Sequence, residues 1–340
     1  MSAGKRDEAD LQAGIRRWAA DRLGLDVISD VALTRPKAGW SNETLLVSIE
    51  YAGGTHRSVF RLPPLVAVHR IVDEQAQAAV HRALVAAGIP APDVVAVEDD
   101  PAWLGAPFLV LEHVHGRALG DVPGLDPWLT ESQVDVQARV QSQYVEALAD
   151  VHRIDWSATD VATLVRVGLD AELDYWDGYV EWASDGDTPS QFIDYLAWCR
   201  ERMPTSDTSQ SLLWGDARFG NVMYDESRTL AALIDWELTS IGPAEMDLGW
   251  HLALDELTTR FATVPGFTDR AGFVAAYERR LGRPVEHLDW HEVFALVRAA
   301  AVNDREARIA TRTDSNYQGT YGNDAFLLRE VAKRIAALPG

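Results

Sequence analysis

Three side chains with hard oxygen atoms lie between residues 216 and 235. Asp216 precedes Asn221 by five positions, and Asp235 follows the apolar run 230–234. Carboxylate and amide oxygens are ligands that Mg²⁺ prefers, and a carboxylate can also accept the proton of a substrate hydroxyl. Such a set suits phosphoryl transfer, which needs an oriented hydroxyl and cations on the triphosphate oxygens. We therefore assign Asp216 as a candidate base and Asn221 and Asp235 as candidate magnesium ligands.

The segment between these residues predicts a hairpin that returns Asp235 beside Asn221. Residues 221–224 and 230–234 are short and apolar, and the polar turn 225–229 joins them. Of the five asparagines in the chain, only Asn221 follows an aspartate at this distance. A turn aspartate followed by a surface hairpin is the alternative interpretation.

Length and composition bound the class of protein. A chain of 340 residues with 47% hydrophobic residues predicts two lobes, each with its own core. The net charge of −21 argues against nucleic acid or an anionic membrane as a partner and permits a cationic substrate. A single cysteine, Cys199, and the lack of a visible signal peptide or long apolar span favour a reducing cytoplasm.

The first third of the chain predicts a sheet with two helices. Helical spacing of apolar residues is seen at 7–25 and 73–86, and the strands are predicted at 31–34, 44–51, 55–62, 92–98 and 107–114. The turn 37–43 contains a glycine followed by Ser41 and Asn42, whose backbone N–H groups could cover phosphates. The same residues are also common turn chemistry.

Two residues of the third strand are candidates for nucleotide contacts. Alternation places Val59 and Arg61 on one face, so that Val59 could cover an adenine and Arg61 could hold the α- and β-phosphates. None of the three lysines lies in this strand. The predicted partner of Arg61 is Glu74 or Gln77 on the following helix, and a surface arginine at a strand end is the alternative.

The rest of the chain is predicted to be helical. Residues 132–152 have helical spacing, and we expect His152 at their end to be stabilised by the helix dipole rather than to act as an acid or base. Residues 170–187 hold seven acids and no basic residue among aromatic side chains. This stretch could form a pocket for a cationic acceptor or a solvated acidic face. His251 and His291 have no metal-ligand spacing.

The chain resembles the aminoglycoside phosphotransferase and choline kinase-like family, the small-molecule branch of the protein-kinase-like fold. The resemblance covers nearly the whole length. The matching motifs are the loop 39–44, the Phe-Arg-Leu-Pro-Pro segment 60–64, the segment 89–92, residues 108–112 before Gly116, Gly215-Asp216 with Asn221, and Asp235-Trp236-Glu237. The Arg-Leu-Pro-Pro and Asp-Trp-Glu variants resemble the kinase-like domain that is fused to some acyl-CoA dehydrogenases.

The resemblance implies an α+β fold with two lobes. A nucleotide-binding lobe with a five-stranded antiparallel sheet would occupy residues 1–114, and a helical catalytic lobe residues 115–340. It also implies ATP, with GTP as an alternative, and Mg²⁺ as cofactors. Backbone groups of Glu112 and Val114 would contact adenine, and Asp247 would hold the catalytic-loop backbone.

The chain departs from the family pattern at Trp214, where the family has histidine. Arg218 stands where protein kinases often carry a lysine, and it could neutralise transition-state charge or be a solvated loop residue. The resemblance implies transfer of a phosphoryl group to a small-molecule hydroxyl of an aminoglycoside-like or hydroxyacyl-type acceptor. A nucleotide-binding protein without catalysis is the alternative. The sequence does not specify an oligomeric state.

Overall fold

The computed structural model describes residues 6–36, 42–70, 73–205, 209–313 and 324–338. The helices are α1 Glu8–Arg22, α2 Glu74–Ala86, α3 Pro127–Thr130, α4 Val134–His152, α5 Leu169–Ala183, α6 Ser190–Glu201, α7 Glu245–Thr259, α8 Arg270–Leu281, α9 Leu288–Thr313 and α10 Asp324–Ala337. The strands are β1 Asp30–Thr34, β2 Glu43–Tyr51, β3 Gly54–Leu62, β4 Val94–Glu98, β5 Phe108–Glu112, β6 Arg117–Ala118, β7 Gln210–Leu213, β8 Val222–Tyr224, β9 Leu230–Leu233 and β10 Ser240–Pro243.

The first five strands form one antiparallel sheet in the order β1-β2-β3-β5-β4, as predicted. One face packs on α1, where Trp18 lies against Phe60 at 5.2 Å and Phe108 at 5.5 Å between ring centroids. On the other face, Val59 packs in a small cluster with Ala78 of α2. The alternation of β3 thus separates Phe60 from Val59, as the sequence predicts. We call this sheet with α1 and α2 the sheet lobe.

The remaining elements form a mainly helical lobe. Helix α9 packs against α5, α6, α7 and α10, and α4 packs against α8 and β7. Aromatic side chains fill this lobe, and Trp176, Trp214, Trp236 and Tyr144 are among its fully buried residues. The α+β, two-lobe fold is the predicted one. The division of the chain at residue 114 stays a prediction.

The hairpin that carries the candidate ligands forms as predicted, with a small difference at its ends. Strands β8 and β9 pair antiparallel with Val222 opposite Leu233. Asn221 lies in the 3₁₀ turn before β8 and not in the strand, and its carbonyl accepts the N–H of Ile234 at 3.0 Å. This bond closes the open end of the hairpin, so Asn221 lies next to the residue that precedes Asp235.

No helix in the described ranges combines the length and the apolar character that crossing a bilayer requires. Cys199 is buried in α6, and burial raises the pKa of its thiol to about 12. A thiol so protected from ionisation packs as a small apolar group.

Candidate active site

The loop after β7 is held in place by a buried carboxylate. Asp247 of α7 accepts the backbone N–H groups of Trp214 at 2.6 Å and Gly215 at 2.8 Å, as the family resemblance implies. The φ of Gly215 is +88°, and a Cβ there would collide with the carbonyl of Leu238. Only glycine fits this turn without strain. His152 also contacts this carboxylate, with its Nε2 3.0 Å from Asp247 Oδ2.

Asp216 follows this turn and lies in a nearly closed environment, with its side chain 17% exposed. The carboxylate accepts hydrogen bonds from Asn221 Nδ2 at 2.8 Å and from Trp250 Nε1 at 2.9 Å. Burial raises the pKa of Asp216 to about 7, and the charge of Asp235 adds to the rise, while the bonds from Asn221 and Trp250 oppose it. A carboxylate with this pKa can exchange a proton near neutral pH.

Asn221 and Asp235 are brought together at the end of the hairpin. Because the amide nitrogen of Asn221 donates to Asp216, its Oδ1 is the atom left for a cation. Asp235 has a φ of 68° in the left-handed region, which costs free energy in a residue with a Cβ. Burial alone would raise the pKa of Asp235, but the Arg61 charge and hydrogen bond hold it below its ordinary value.

The donor set fits Mg²⁺. In the described part of the chain, no group of three or more His, Cys, Asp or Glu residues is placed to hold a metal ion. Mg²⁺ does not require such a cage, because it is usually bound by one or two protein oxygens with phosphates and water completing the shell. The Asn221 amide oxygen and the Asp235 carboxylate match that pattern.

Trp214, at the position where the family has histidine, makes two hydrogen bonds to the backbone. Its Nε1 donates to the carbonyls of Ile234 at 2.9 Å and Asp235 at 3.2 Å. Its ring stacks on Trp236 with centroids 5.2 Å apart. Trp214 therefore links the loop after β7 directly to the backbone of the candidate metal ligand.

Arg61 points into the site, but its predicted partners are wrong. Its Nη2 lies 2.7 Å from Asp235 and 3.7 Å from Glu237. Neither Glu74 nor Gln77 is within ion-pair or hydrogen-bond distance of it among the described contacts. Asp235 and Glu237, which follow β9, come closer to Arg61 than the side chains of α2 do. Their two negative charges attract the guanidinium more strongly than the neutral amide of Gln77 would. Val59 lies on the same face of β3 and is half-buried.

The remaining predicted nucleotide contacts are Ser41, Asn42, Glu112 and Val114. Asn42 is 9% exposed and its Nδ2 donates to Glu237, while Ser41 lies outside the described residues. The N–H of Glu112 donates to the Asp93 carbonyl at 2.8 Å. The Glu112 carbonyl and the backbone of Val114, which follows β5, stay predictions for adenine.

Arg218 is partly exposed and is paired with two carboxylates. Its Nε lies 2.9 Å from Asp216, and its Nη1 bonds Asp121. Its guanidinium thus joins the loop after β7 to the segment after β6. The predicted role in neutralising transition-state charge stays a prediction.

A match over most of the sequence identifies the family of the chain. Residues 32–294, most of the chain, match the sequence profile of the Phosphotransferase enzyme family. The chain belongs to this family.

Curated relatives of this chain are larger proteins. A probable acyl-CoA dehydrogenase of Arabidopsis thaliana is 26% identical over 291 residues, which cover 78% of this chain and 34% of that protein. Human acyl-CoA dehydrogenase family member 11 is 26% identical over 275 residues, or 75% of this chain and 33% of that protein. The chain thus spans about a third of the length of these relatives.

Solved structures share the fold of this chain. A putative aminoglycoside phosphotransferase from Ralstonia eutropha JMP134 has a TM-score of 0.69 at 19% identity, covering 95% of both chains. A choline kinase from Streptococcus pneumoniae has a TM-score of 0.61 at 13% identity, covering 95% of this chain and 98% of the other. At these identities the likeness shows the kinase-like fold.

Several side chains around the site were not assigned from the sequence. Trp250 of α7 bonds the candidate base, and Arg298 of α9 donates to the Gly215 carbonyl at 2.8 Å. Glu237 and His69 face each other with 3.1 Å between Oε1 and Nε2. Glu237 is part of the Asp-Trp-Glu motif, and Trp250 lies three residues after Asp247, which the resemblance indicated. Arg298 and His69 had no local signal.

The acidic stretch 170–187 gives no support to a cationic pocket. On α5, Asp174 and Asp177 are exposed and pair with Arg200 at the surface. The aromatic side chains lie on the opposite face, where the guanidinium of Arg166 is 4.0 Å from the ring of Tyr175. Arginines occupy ring faces that an acceptor cation would need. The solvated acidic face is therefore the interpretation that the packing favours.

Proposed function

We propose that this phosphotransferase transfers the γ-phosphoryl group of ATP, with Mg²⁺, to a hydroxyl group of a small molecule. Two hydrogen bonds carry the proposal. The Asn221 amide donates to Asp216, and the Asn221 carbonyl accepts the N–H of Ile234, the residue before Asp235. Residues from two separate segments thereby form one polar site at a loop that α7 holds rigid. Pre-positioned groups of this kind are what phosphoryl transfer requires.

Each residue has a role that its contacts suit. Asp216 orients the acceptor hydroxyl and accepts its proton, which a pKa of about 7 allows near neutral pH. Asn221 and Asp235 would hold Mg²⁺, which supplies positive charge to the triphosphate oxygens when bound. Arg61 offers a guanidinium to the phosphates from the sheet lobe, beside Asp235.

Nucleotide use is supported by one solved relative in fold. A thermostable mutant of an aminoglycoside phosphotransferase has been crystallised as a ternary complex with ADP and hygromycin B. For this chain, ATP is the proposed donor, and GTP is included as the alternative in the assay below.

The acceptor class is left to experiment between two groups of compounds. Aminoglycosides, choline and ethanolamine are suggested by the names of proteins with the same fold. Hydroxyacyl compounds are suggested by the acyl-CoA dehydrogenase names of the curated relatives. The surface position of the α5 acids removes the argument that favoured a cation.

The alternative of a nucleotide-binding protein without catalysis rested on two sequence features. One was Trp214 in place of histidine, and the other was the uncertain partner of Arg61. Trp214 still bonds the Asp235 carbonyl, and Arg61 has two acidic neighbours in the site. Both features are therefore compatible with an active enzyme.

The test is a phosphoryl-transfer assay with MgATP or MgGTP and a panel of hydroxyl acceptors from both groups. We expect turnover by the natural chain, and we expect Asp216→Asn to reduce kcat by about a thousandfold while ATP still binds. Asp255→Asn is a matched control, because Asp255 of α7 is also a carboxyl whose pKa burial raises, to about 6. Full turnover by Asp216→Asn, or no turnover by the natural chain with any acceptor, would contradict the proposal.

A further inference from the structure

Glu237, two residues after Asp235, is contacted by three side chains of the sheet lobe. Asn42 Nδ2 donates to its Oε2, His69 Nε2 lies 3.1 Å from its Oε1, and Arg61 Nη2 lies 3.7 Å from its Oε2. The carboxylate is only 5% exposed. These contacts account for both of its oxygens.

The negative and positive charges of these contacting side chains also offset one another. A buried carboxylate is unfavourable unless it is paired and hydrogen-bonded, and the same holds for a buried guanidinium. Here the guanidinium of Arg61 lies between the carboxylates of Asp235 and Glu237. Burial would lower the pKa of His69, but the charge and hydrogen bond of Glu237 raise it above its ordinary value. Glu237, Arg61 and His69 therefore stabilise one another.

The three partners come from separate places along the chain. Asn42 precedes β2, Arg61 is near the end of β3, and His69 lies in the connection from β3 to α2. The pairing of β2 with β3 brings Asn42 and Arg61 to one end of the sheet, whereas His69 lies outside the strands. A single carboxylate of the helical lobe, next to the hairpin end that bears Asp235, is their common contact.

Each partner keeps one buried polar atom without a hydrogen bond among the described residues. These atoms are Asn42 Oδ1, Arg61 Nε and His69 Nδ1. Unsatisfied buried polar atoms are rare in folded proteins and commonly mark a place where a ligand or water completes the site. Their grouping around one carboxylate indicates that Glu237 holds these side chains in place for something that binds beside them.

We infer that Glu237 is a positioning residue that fixes Asn42, Arg61 and His69 for nucleotide binding, and that it does so without being a ligand of the metal. The inference rests on the proposed function only for the identity of the ligand as a nucleotide. It predicts that the loss of the Glu237 charge weakens nucleotide binding whether or not Mg²⁺ is present.

The test measures the Kd of ADP by isothermal titration calorimetry, with Mg²⁺ and with EDTA. For Glu237→Gln we expect affinity to fall about tenfold in both conditions, the size of a typical coupling between contacting groups. Glu292→Gln is the matched control. Glu292 is a fully buried carboxylate that pairs with Arg270 and Arg334 away from the site, so this variant should bind ADP as the natural chain does.

A double-mutant cycle separates positioning from a general loss of stability. Asn42→Ala and His69→Gln should each weaken ADP binding in the natural chain, but adding either change to Glu237→Gln should weaken it little further, because Glu237→Gln has already broken the contact that each of them breaks. Additive effects, unchanged ADP affinity in Glu237→Gln, or a loss seen only with Mg²⁺ would overturn the inference. The last result would make Glu237 a metal ligand. Phosphoryl transfer by the natural chain is measured separately, so a failure there counts against the proposed function alone.

Discussion

At the scale of single residues, the site is built from side chains that fix the backbone as much as from those that would react. Asp247 holds the N–H groups of the turn before Asp216, and Arg298 holds the carbonyl of the same turn. Trp250 then bonds the candidate base itself. The base can be oriented this closely because α7 and α9 are rigid elements that pack against each other.

Trp214 gives a residue-scale prediction. Trp214→Phe keeps most of the ring stacked on Trp236 but removes the N–H that the carbonyls of Ile234 and Asp235 accept. Two partly buried carbonyls would each lose a donor, so we expect the free energy of unfolding to fall by about 1–3 kcal/mol. We also expect kcat to fall, because Asp235 is held less firmly.

Trp236→Phe is the matched comparison, since it removes an indole N–H that bonds the Leu233 carbonyl at 3.3 Å. It should lower stability in urea denaturation without the loss of kcat. Equal losses of kcat in the two variants would show that Trp214 has no specific role at Asp235. Trp214→His, which restores the residue typical of the family, should keep more activity than Trp214→Phe.

At the scale of elements, the periodicity of the sequence was sufficient to predict which helices and strands form, but not which side chains of the sheet lobe and the helical lobe contact each other. Helix α2 and strand β3 were predicted within one residue of their observed bounds. The partner of Arg61 was not, because Asp235 lies 174 positions further along the chain. Helical spacing identifies which face of α2 is buried, but it carries no information on which loop of the other lobe comes nearer.

A prediction about α2 follows from this arrangement. Glu74→Gln should change the affinity for ADP by less than about twofold, since Glu74 is near Arg61 without a direct contact. Arg61→Ala should weaken ADP binding strongly, because it removes the guanidinium that faces Asp235 and Glu237. Calorimetric titration of both variants checks this. An equal loss of affinity in Glu74→Gln would restore the helix as the partner of the strand cation.

At the scale of the whole molecule, burial shifts the pKa of several histidine and aspartate side chains, so the stability of the fold depends on pH. Burial lowers the pKa of His81, His251 and His291 to about 3 each. Burial raises the pKa of Asp216 to about 7 and that of Asp255 to about 6. The two sets act in opposite directions on the pH dependence of stability.

The sign follows from the protons that each state binds between pH 4 and 6. The unfolded chain protonates the three histidines, which stay neutral in the folded protein, and the folded protein keeps protons on the two aspartates, which are ionised when unfolded. The unfolded state thus binds one proton more, so stability should fall by about 1.4 kcal/mol per pH unit as pH decreases from 6 to 4. Carboxylates with lowered pKa, such as Asp235 and Glu245, add to the loss near pH 4.

Urea denaturation at several pH values measures this slope. Asp255→Asn removes one of the two opposing carboxyls, so its stability should fall about twice as steeply over the same range. A stability that is flat or rises toward pH 4 would contradict the assignment of these histidines as buried and neutral.

The fold of the whole molecule could be predicted from the sequence, but the contacts between distant segments could not. The order of motifs along the chain was enough to predict the two-lobe fold and to place Asp216, Asn221 and Asp235 together. The contacts that came from distant segments, such as His69 with Glu237 and Arg298 with Gly215, depend on how the lobes and helices pack. No local pattern of residue types carries that information.

The central claim is that Asn221 and Asp235 present oxygens to one divalent ion beside Asp216. The most direct measurement is a crystal structure of the protein with Mg²⁺ and a non-hydrolysable ATP analogue. We predict a metal ion bound by Asn221 Oδ1 and a carboxylate oxygen of Asp235, with the terminal phosphate facing Asp216. A nucleotide bound elsewhere, or a metal ion held without either residue, would contradict the account.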